Sequence, residues 1–293
     1  MNLLRRLRVQ RRNSIRTLEL AYATVAGWIP PTYPDFMCIG APRAATTWLH
    51  TMLRKDPQIY LPKAKELHFF DDMRPRGDYA DSGLRWYRSF FFEMNNPVHL
   101  RWYWMQFLKG KGRLKGEITP SYSMLSKDRV RFVLEKIPEL KVIYLIRNPI
   151  DRAWSTLRQV VLYQLGRNQD VLKNTAWVLR TIEQPVLLEG GNYRRTIETW
   201  GGMMPERNIL YVFYDDIVSD PRSALDKIYT FLNLDMPRLL ELGGNEKRVN
   251  AAPGLSIPEE VRSRLAEYYE GQIEYLEKKF GRDLGHWTQR ACK

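Results

Sequence analysis

The apolar residues of this chain form short unbroken runs, three of which predict strands: Phe36–Ile39, Lys141–Ile146 and Asn208–Tyr214. Unbroken runs, unlike alternating ones, are typical of strands covered on both faces of a parallel sheet. Helical spacing occupies the intervals. The predicted helices are Thr47–Arg54, Leu84–Phe92, Asp128–Lys136, Pro149–Gln164, Val171–Glu183, Pro221–Leu232 and Pro258–Phe280. This alternation predicts a single doubly wound α/β sheet with helices on both faces.

A loop of small residues, Gly40–Ala45, joins the first predicted strand to a helix that opens with Thr46 and Thr47. Unpaired N–H groups at a helix start, the helix dipole, two hydroxyls and the Arg43 guanidinium together favour a bound anion. The alternative is that Arg43 is only a surface arginine. The loop is not a Walker A loop, because Ala45 and Thr46 stand where that motif has its second glycine and its lysine.

Three further segments follow in order. They are Lys65-Glu66-Leu67-His68-Phe69-Phe70-Asp71, Gly116-Glu117-Ile118-Thr119-Pro120-Ser121-Tyr122 and Ile146-Arg147-Asn148-Pro149-Ile150-Asp151-Arg152-Ala153-Trp154-Ser155. With the preceding loop, they resemble the sulfotransferases that use PAPS (3′-phosphoadenosine 5′-phosphosulfate), most closely the heparan-sulfate and tyrosylprotein branch. The resemblance, from about Asp35 to Trp287, implies a P-loop-like PAPS-binding loop after the first strand and sulfuryl transfer to a hydroxyl or amine. It also implies a carbohydrate or glycolipid acceptor, and no metal.

The resemblance assigns the first loop to the 5′-phosphosulfate of PAPS. The implied contact residues are Arg43, Ala44, Ala45, Thr46, Thr47 and Trp48. Arg43 is expected to stabilise charge on the bridging oxygen as the sulfuryl group leaves. Ala45 departs from the family, which usually has glycine there. If that position needs a positive φ, alanine costs about 1 kcal/mol.

Glu66 and His68 are the implied acid–base pair. The segment around them is predicted to be extended, with these two side chains on one face and those of Lys65 and Leu67 on the other. Sulfuryl transfer needs a base to take the acceptor's proton. The resemblance gives this role to Glu66, with His68 as its helper. The alternative is a surface ion pair of Lys65 with Glu66 beside a core histidine.

Arg147 and Ser155 lie eight positions apart across a predicted strand–turn–helix, with Asn148 as the N-cap and Pro149 as the first helical residue. The resemblance implies that Arg147 and Ser155 clamp the 3′-phosphate of PAPS. The alternative is that Arg147 pairs with Asp151 at the start of the helix. Arg152, the next residue, is expected to support the loop rather than contact the nucleotide.

Weaker candidates come from the rest of the chain. The resemblance places Tyr193 near the nucleotide and lets Glu117 orient substrate or Arg43, while Ile118 stands where relatives often have lysine. A loop expected to close over the 3′-phosphate, or else to be a solvated charge run, contains Lys247, Arg248, Val249 and Asn250. An aromatic cluster is predicted to be core, with sugar stacking as the alternative. It contains Trp86, Tyr87, Trp102, Tyr103 and Trp104.

The N-terminus is strongly basic. Residues 1–16 carry six arginines and no acidic residue, and Pro30–Pro34 separates a predicted leader, residues 1–34, from the sulfotransferase domain, residues 35–293. The leader is expected to be solvated. An amphipathic helix on anionic lipid and a signal peptide are the alternatives. Ala21–Ile29 is far shorter than the roughly 20 residues that a spanning helix needs. We therefore expect a soluble, cytoplasmic enzyme of bacterial type, with peripheral membrane contact as the variant.

Charge and cysteine content narrow the class of protein. The net charge of +13 favours an anionic partner, which could be nucleic acid, a membrane surface, an anionic polymer or a nucleotide. Two cysteines do not make a disulfide framework, and Cys38 is predicted to be a buried apolar residue in a reducing compartment. A P-loop kinase is disfavoured by the missing lysine. A basic module without catalysis is disfavoured because no nucleic-acid motif is present.

Overall fold

The computed structural model describes residues 3–71, 94–164, 169–237 and 256–288. The strands are β1 (Phe36–Gly40), β2 (Ile59–Tyr60), β3 (Leu114–Ile118), β4 (Lys141–Ile146) and β5 (Ile209–Phe213). The helices are α1 (Leu3–Val25), α2 (Thr46–Leu53), α3 (Pro97–Met105), α4 (Lys127–Lys136), α5 (Pro149–Gln159), α6 (Thr175–Ile182), α7 (Pro185–Leu188), α8 (Tyr193–Gly201), α9 (Tyr214–Ser219), α10 (Pro221–Leu232) and α11 (Glu259–Phe280).

The five strands form one parallel sheet in the order β2-β3-β1-β4-β5. The chain builds one half of the sheet from β1 to β3 and then crosses β1 to begin the other half with β4. The loops that follow β1 and β4 therefore leave the sheet on either side of a topological switch point, where doubly wound folds bind ligands. The predicted fold class is confirmed.

The centre of the sheet is also the centre of the core. Residues 36–39 of β1 have no exposed surface, and Cys38 is buried with a free thiol, as predicted. The apolar pattern did not predict two of the five strands, β2 and β3. β2 has only two residues, and β3 is interrupted by the polar residues Lys115 and Glu117. The β3 backbone nevertheless pairs with both neighbouring strands, which a hydropathy pattern cannot register.

The helix predictions differ in how well they match the structure. α10 has its predicted bounds, with Asp220 accepting a hydrogen bond from Ser223 N. The predicted helix Pro149–Gln164 is α helix only to Gln159 and continues as a π turn. The predicted helix Val171–Glu183 is divided, because the Asn174 side chain caps α6. The predicted helix Leu84–Phe92 lies outside the described residues.

The basic leader is not simply solvated. Helix α1 packs on α3, where Trp102 Nε1 donates to Glu19 Oε2 at 2.9 Å. Arg16 is 4% exposed and its Nη2 donates to Leu67 O at 3.1 Å. The expectation of a solvated leader is therefore wrong for this part of it. Within the described ranges, no helix is both long and apolar enough to cross a membrane.

Candidate functional site

The loop between β1 and α2 has the backbone of an anion cradle. We call residues 41–45 the anion loop. Arg43 and Ala45 both have positive φ, 69° and 67°. Ala45 is the N-cap of α2 and supplies no side-chain acceptor, so the first N–H groups of the helix are left for another acceptor. The predicted cost of alanine at position 45 depends on a positive φ there. Ala45 has that positive φ, a left-handed conformation that favours glycine, so the cost applies.

Gly40, the last residue of β1, directly precedes the anion loop. Its φ is 147°, and a Cβ atom there would lie 2.7 Å from Pro120 O and 2.9 Å from Ser123 Cβ. The end of β1 therefore lies so close to the turn after β3 that a side chain at position 40 would collide with it. This contact sets the anion loop directly beside the segment that follows β3.

Arg43, Arg147 and Ser155 meet at the switch point. Arg43 Nε donates to Ser155 Oγ at 3.0 Å, and Arg147 Nη1 donates to Arg43 O at 2.8 Å. The Arg147 guanidinium also lies over the ring of Tyr214, 4.6 Å from its centroid. The structure thus brings together the residues that the sequence assigned to two ends of one nucleotide. Two arginines joined through the Arg43 carbonyl make this end of the sheet suited to phosphate.

The predicted cap after β4 is present. Asn148 Oδ1 accepts from Ile150 N, and Pro149 begins α5. Asp151 accepts from Arg262 at 3.2 Å, so the alternative pairing of Arg147 with Asp151 is wrong. Arg152 is 1% exposed, and its Nη2 donates to Leu187 O at 2.6 Å. The Arg152 side chain therefore joins α5 to the end of α7, and its expected support of the loop after β4 stays a prediction.

Tyr193 lies beneath this cluster rather than in it. The side chain is fully buried, and its hydroxyl bonds both the N–H and the C=O of Arg147. The hydroxyl therefore holds the backbone that carries the Arg147 guanidinium. Direct contact of Tyr193 with a nucleotide stays a prediction. Lys247, Arg248, Val249 and Asn250 lie outside the described residues, and their role also stays a prediction.

Residues 65–71, here called the Glu66 loop, are not extended. Glu66 and His68 have φ of 65° and 55°, both left-handed, so the expectation of an extended segment with alternating faces is wrong. The two side chains still meet, with His68 Nε2 3.7 Å from Glu66 Oε2. Lys65, expected on the opposite face, instead binds Glu66 Oε1 at 2.6 Å. The Lys65–Glu66 ion pair of the alternative is therefore present, but His68 is 18% exposed and bonded to Asp71, so it is not the core histidine that the alternative expected.

Asp71, which was not among the predicted site residues, sets the protonation of this pair. His68 Nδ1 lies 2.7 Å from Asp71 Oδ2, and Ser121 Oγ donates to the same oxygen. Burial alone would lower the pKa of His68, but Asp71 and Glu66 outweigh it and raise that pKa to about 9. Burial alone would raise the pKa of Glu66, but His68 and Lys65 lower it to about 2. At neutral pH the pair is a carboxylate beside an imidazolium.

Lys65 links the two halves of the site. Its Nζ donates to Thr47 Oγ1 at 3.3 Å as well as to Glu66. Thr47 belongs to the first turn of α2, directly after the anion loop. One ammonium group therefore contacts both Thr47, at the predicted anion site, and Glu66, the predicted base. Glu66 and the start of α2 are separated by no more than this one side chain.

The role expected of Glu117, which was to orient substrate or Arg43, is wrong. It is 1% exposed, and its carboxylate accepts from the hydroxyls of Tyr103, Thr119 and Tyr122. Burial raises its pKa, against the effect of these hydrogen bonds. A carboxylate enclosed in this way reaches neither a substrate nor Arg43. Trp102 and Tyr103 above it are buried, as predicted for core, while Trp86 and Tyr87 lie outside the described residues.

The hydroxyls that Glu117 orients hold the Glu66 loop. Thr119 Oγ1 accepts from Leu67 N at 3.1 Å, and Tyr122 Oη accepts from Phe69 N at 2.9 Å and Phe70 N at 3.3 Å. On the carbonyl side, Arg16 bonds Glu66 O and Leu67 O, and Arg129 bonds Phe70 O. Side chains distant in sequence therefore satisfy the backbone of this left-handed loop.

The match to known proteins agrees with this geometry. A model of the sulfotransferase family matches residues 34–238, more than half of the chain, and the protein belongs to that family. Human heparan sulfate glucosamine 3-O-sulfotransferase 6 is 24% identical over 86% of this chain and 73% of its own length. The mouse bifunctional heparan sulfate N-deacetylase/N-sulfotransferase 4 is 24% identical over 89% of this chain and 32% of its own.

Solved structures share the fold. A sulfotransferase from Alicyclobacillus acidocaldarius aligns with a TM-score of 0.63 at 20% identity, over 88% of this chain and all of the other. Mouse sulfotransferase SULT7A1 complexed with PAP, the product of PAPS after transfer, aligns with a TM-score of 0.53 at 15% identity, over 94% of this chain and 93% of the other. The protein is a sulfotransferase enzyme with the architecture of these neighbours.

Proposed function

We propose that this sulfotransferase transfers the sulfuryl group of PAPS to a hydroxyl or amine of a carbohydrate or glycolipid. One observation carries the proposal. The anion loop, the Arg147–Ser155 pair and the Glu66 loop, which are distant in sequence, are joined by hydrogen bonds at one edge of the sheet. A cradle for anionic groups thereby stands next to a carboxylate that can take a proton.

The residues present fit a nucleotide with anionic groups at both ends. The uncapped start of α2 and the Arg43 guanidinium suit the 5′-phosphosulfate. Arg147 and Ser155 suit a 3′-phosphate, which ATP lacks. The mouse neighbour complexed with PAP shares this fold, and that likeness supports PAPS as the co-substrate here.

The chemistry that we assign to the site is an in-line displacement. The acceptor oxygen or nitrogen forms a bond to sulfur while the bond from sulfur to the bridging oxygen breaks, and its electron pair stays on the 5′-phosphate of PAP. Glu66, ionised at neutral pH, takes the proton that the acceptor loses. Arg43 stabilises the charge that develops on the bridging oxygen. The His68 imidazolium orients Glu66 through the 3.7 Å contact.

Two matched relatives are named for heparan sulfate, which supports a carbohydrate acceptor. Ile118, which ends β3 and stands where the family resemblance would place lysine, is buried, so this apolar side chain supplies no contact to the acceptor.

Calorimetry with PAP, AMP and ATP tests the nucleotide. We expect PAP to bind roughly ten- to hundredfold more tightly than AMP, because a charge-assisted phosphate contact contributes about 1.5–3 kcal/mol. Arg147→Ala should remove most of that difference. Equal affinities of the wild type for PAP and AMP would refute the clamp. Transfer of label from radiolabelled PAPS to a panel of glycans, glycolipids and phenols identifies the acceptor, and activity with labelled ATP instead would indicate a kinase.

A further inference from the structure

The outer face of α1 carries a row of exposed apolar side chains. Ile15, Leu18, Tyr22 and Val25 are 46%, 70%, 60% and 80% exposed, and Trp28 beyond the helix end is 84% exposed. The first four recur at intervals of three and four, so they share one side of the helix over about 15 Å. We call these five residues the α1 stripe. Large apolar groups in such a contiguous row are characteristic of an interaction surface.

The face around the α1 stripe carries no charge. From residue 14 to residue 28, the exposed positions other than the stripe are Ser14, Thr17, Ala21, Thr24 and Gly27. The two charged residues of this stretch turn towards the domain, Arg16 to the Glu66 loop and Glu19 to Trp102. A face that only met water would be expected to share the 27% charged content of the chain. This face excludes charge instead.

The other half of the same helix is cationic. Residues 3–13 of α1 include five arginines and no acidic residue. A helix with an uncharged apolar face and a cluster of arginines is suited to an anionic bilayer, because acyl chains accept the apolar face and anionic headgroups attract the guanidinium groups. A second copy of this chain is a poorer partner, because its net charge of +13 offers no anionic surface to the arginine cluster.

We propose that the α1 stripe docks this enzyme on an anionic lipid bilayer, with the helix lying along the surface. The helix touches the bilayer with one face and the domain with the other. The inference goes beyond sulfuryl transfer and its test requires no turnover, so it can fail while the proposed function stands.

Vesicle co-sedimentation of the full chain tests the proposal. One set of vesicles contains phosphatidylcholine alone, and the other contains phosphatidylcholine with phosphatidylglycerol. We expect binding to the anionic vesicles that weakens as salt rises, because headgroup attraction is screened. The double variant Leu18→Glu/Val25→Glu should bind roughly tenfold or more weakly, since two apolar side chains no longer enter the acyl region. Val218→Glu is the matched control, because Val218 is 57% exposed on a different helix, α9, and its replacement should leave binding unchanged.

Three results would overturn the proposal. These are no binding of the wild type to anionic vesicles, equal binding by the double variant, and equal loss in Val218→Glu. Light scattering after size exclusion can give a fourth result that would overturn the proposal. A wild-type dimer that the double variant converts to monomer would make this face a contact between copies. Leu18→Gln/Val25→Gln repeats the test without added charge, and unchanged PAP affinity in both double variants shows that the domain is intact.

Discussion

At the scale of single residues, the proposed mechanism gives Glu66 and His68 different roles because their protonation states differ. With pKa values of about 2 and about 9, Glu66 can accept a proton at neutral pH and His68 cannot. We expect Glu66→Gln to lower kcat roughly 10²–10⁴-fold while PAP affinity is retained, measured by single-turnover transfer and calorimetry. His68→Asn should cost less. If His68→Asn is the more damaging change and Glu66→Gln stays active, then His68 is the base.

The His68–Asp71 contact predicts a pH dependence. A neighbouring carboxylate favours the imidazolium and raises its pKa, so kcat/KM should fall as pH rises through about 9, where His68 loses its proton. Asp71→Asn removes that carboxylate and lowers the His68 pKa, so the fall should move to lower pH. Asp151→Asn is the control, because Asp151 pairs with Arg262 instead. Superimposable profiles for Asp71→Asn and the wild type would contradict this assignment.

Ala45 and Ala44 offer a matched test of backbone strain. Ala45 has φ of 67°, whereas Ala44 is not among the residues with positive φ. Ala45→Gly should therefore raise the free energy of unfolding by about 1 kcal/mol, because glycine adopts this conformation without a Cβ penalty. Ala44→Gly should lower it, through chain entropy and the loss of a buried methyl group. Denaturant unfolding measures both, and the same sign for the two variants would refute the argument.

At the scale of elements, β3 and the turn after it build the Glu66 loop. Tyr103 and Tyr122 both donate a buried hydroxyl to Glu117, but the Tyr122 hydroxyl also accepts from Phe69 N and Phe70 N. Tyr122→Phe should therefore lower kcat roughly ten- to hundredfold through misplacement of Glu66 and His68. Tyr103→Phe loses a similar buried bond to the carboxylate and should leave kcat nearly unchanged.

Kinetics and stability must be measured together on this pair. Tyr103→Phe removes one buried hydrogen bond and should lower the free energy of unfolding by about 1–2 kcal/mol, whereas Tyr122→Phe removes three and should lower it further. A role in positioning predicts that Tyr122→Phe keeps its loss of kcat at temperatures where both variants are fully folded. If fully folded Tyr122→Phe has the kcat of the wild type, the Tyr122 hydroxyl contributes to folding alone.

At the scale of the whole molecule, Arg152 ties three helices together. It extends from α5, donates to carbonyls at the end of α7 and lies 3.3 Å from Tyr269 Oη of α11. Arg152→Ala would remove the donor to Leu187 O, while Leu188 O keeps the Tyr269 hydroxyl as a donor, and it would leave a cavity between the helices. We expect a loss of about 2–5 kcal/mol and a Tm lower by roughly 5–15 °C. Arg194→Ala, which removes an exposed arginine, should change Tm little. Below its Tm the Arg152 variant should keep the preference for PAP over AMP, since the Arg152 guanidinium is buried and bonded to α7 rather than to the anion loop.

Local patterns predicted much of this molecule. β1, β4 and α10 were predicted because their burial and caps depend on residues close together in the chain. The anion loop was predicted for the same reason, since small residues before a helix with two threonines leave its first N–H groups without side-chain acceptors. The apolar pattern did not predict β3, because the backbone pairing that defines this strand leaves no apolar run in the sequence. Glu117 was misassigned because a glutamate in sequence does not reveal that three hydroxyls enclose it.

The sequence by itself determined the fold class and the anion loop, because these depend on apolar runs and on the residues around a helix start, while the catalytic roles that family resemblance gives to Glu66 and His68 stay predictions. Only the tertiary structure decided the shape of the Glu66 loop, whose left-handed residues are held by Thr119, Tyr122 and Arg16. It also decided the charge of His68, through Asp71. These partners lie about 50 positions away or across a turn, and their effects depend on distances of a few ångströms that no local pattern encodes.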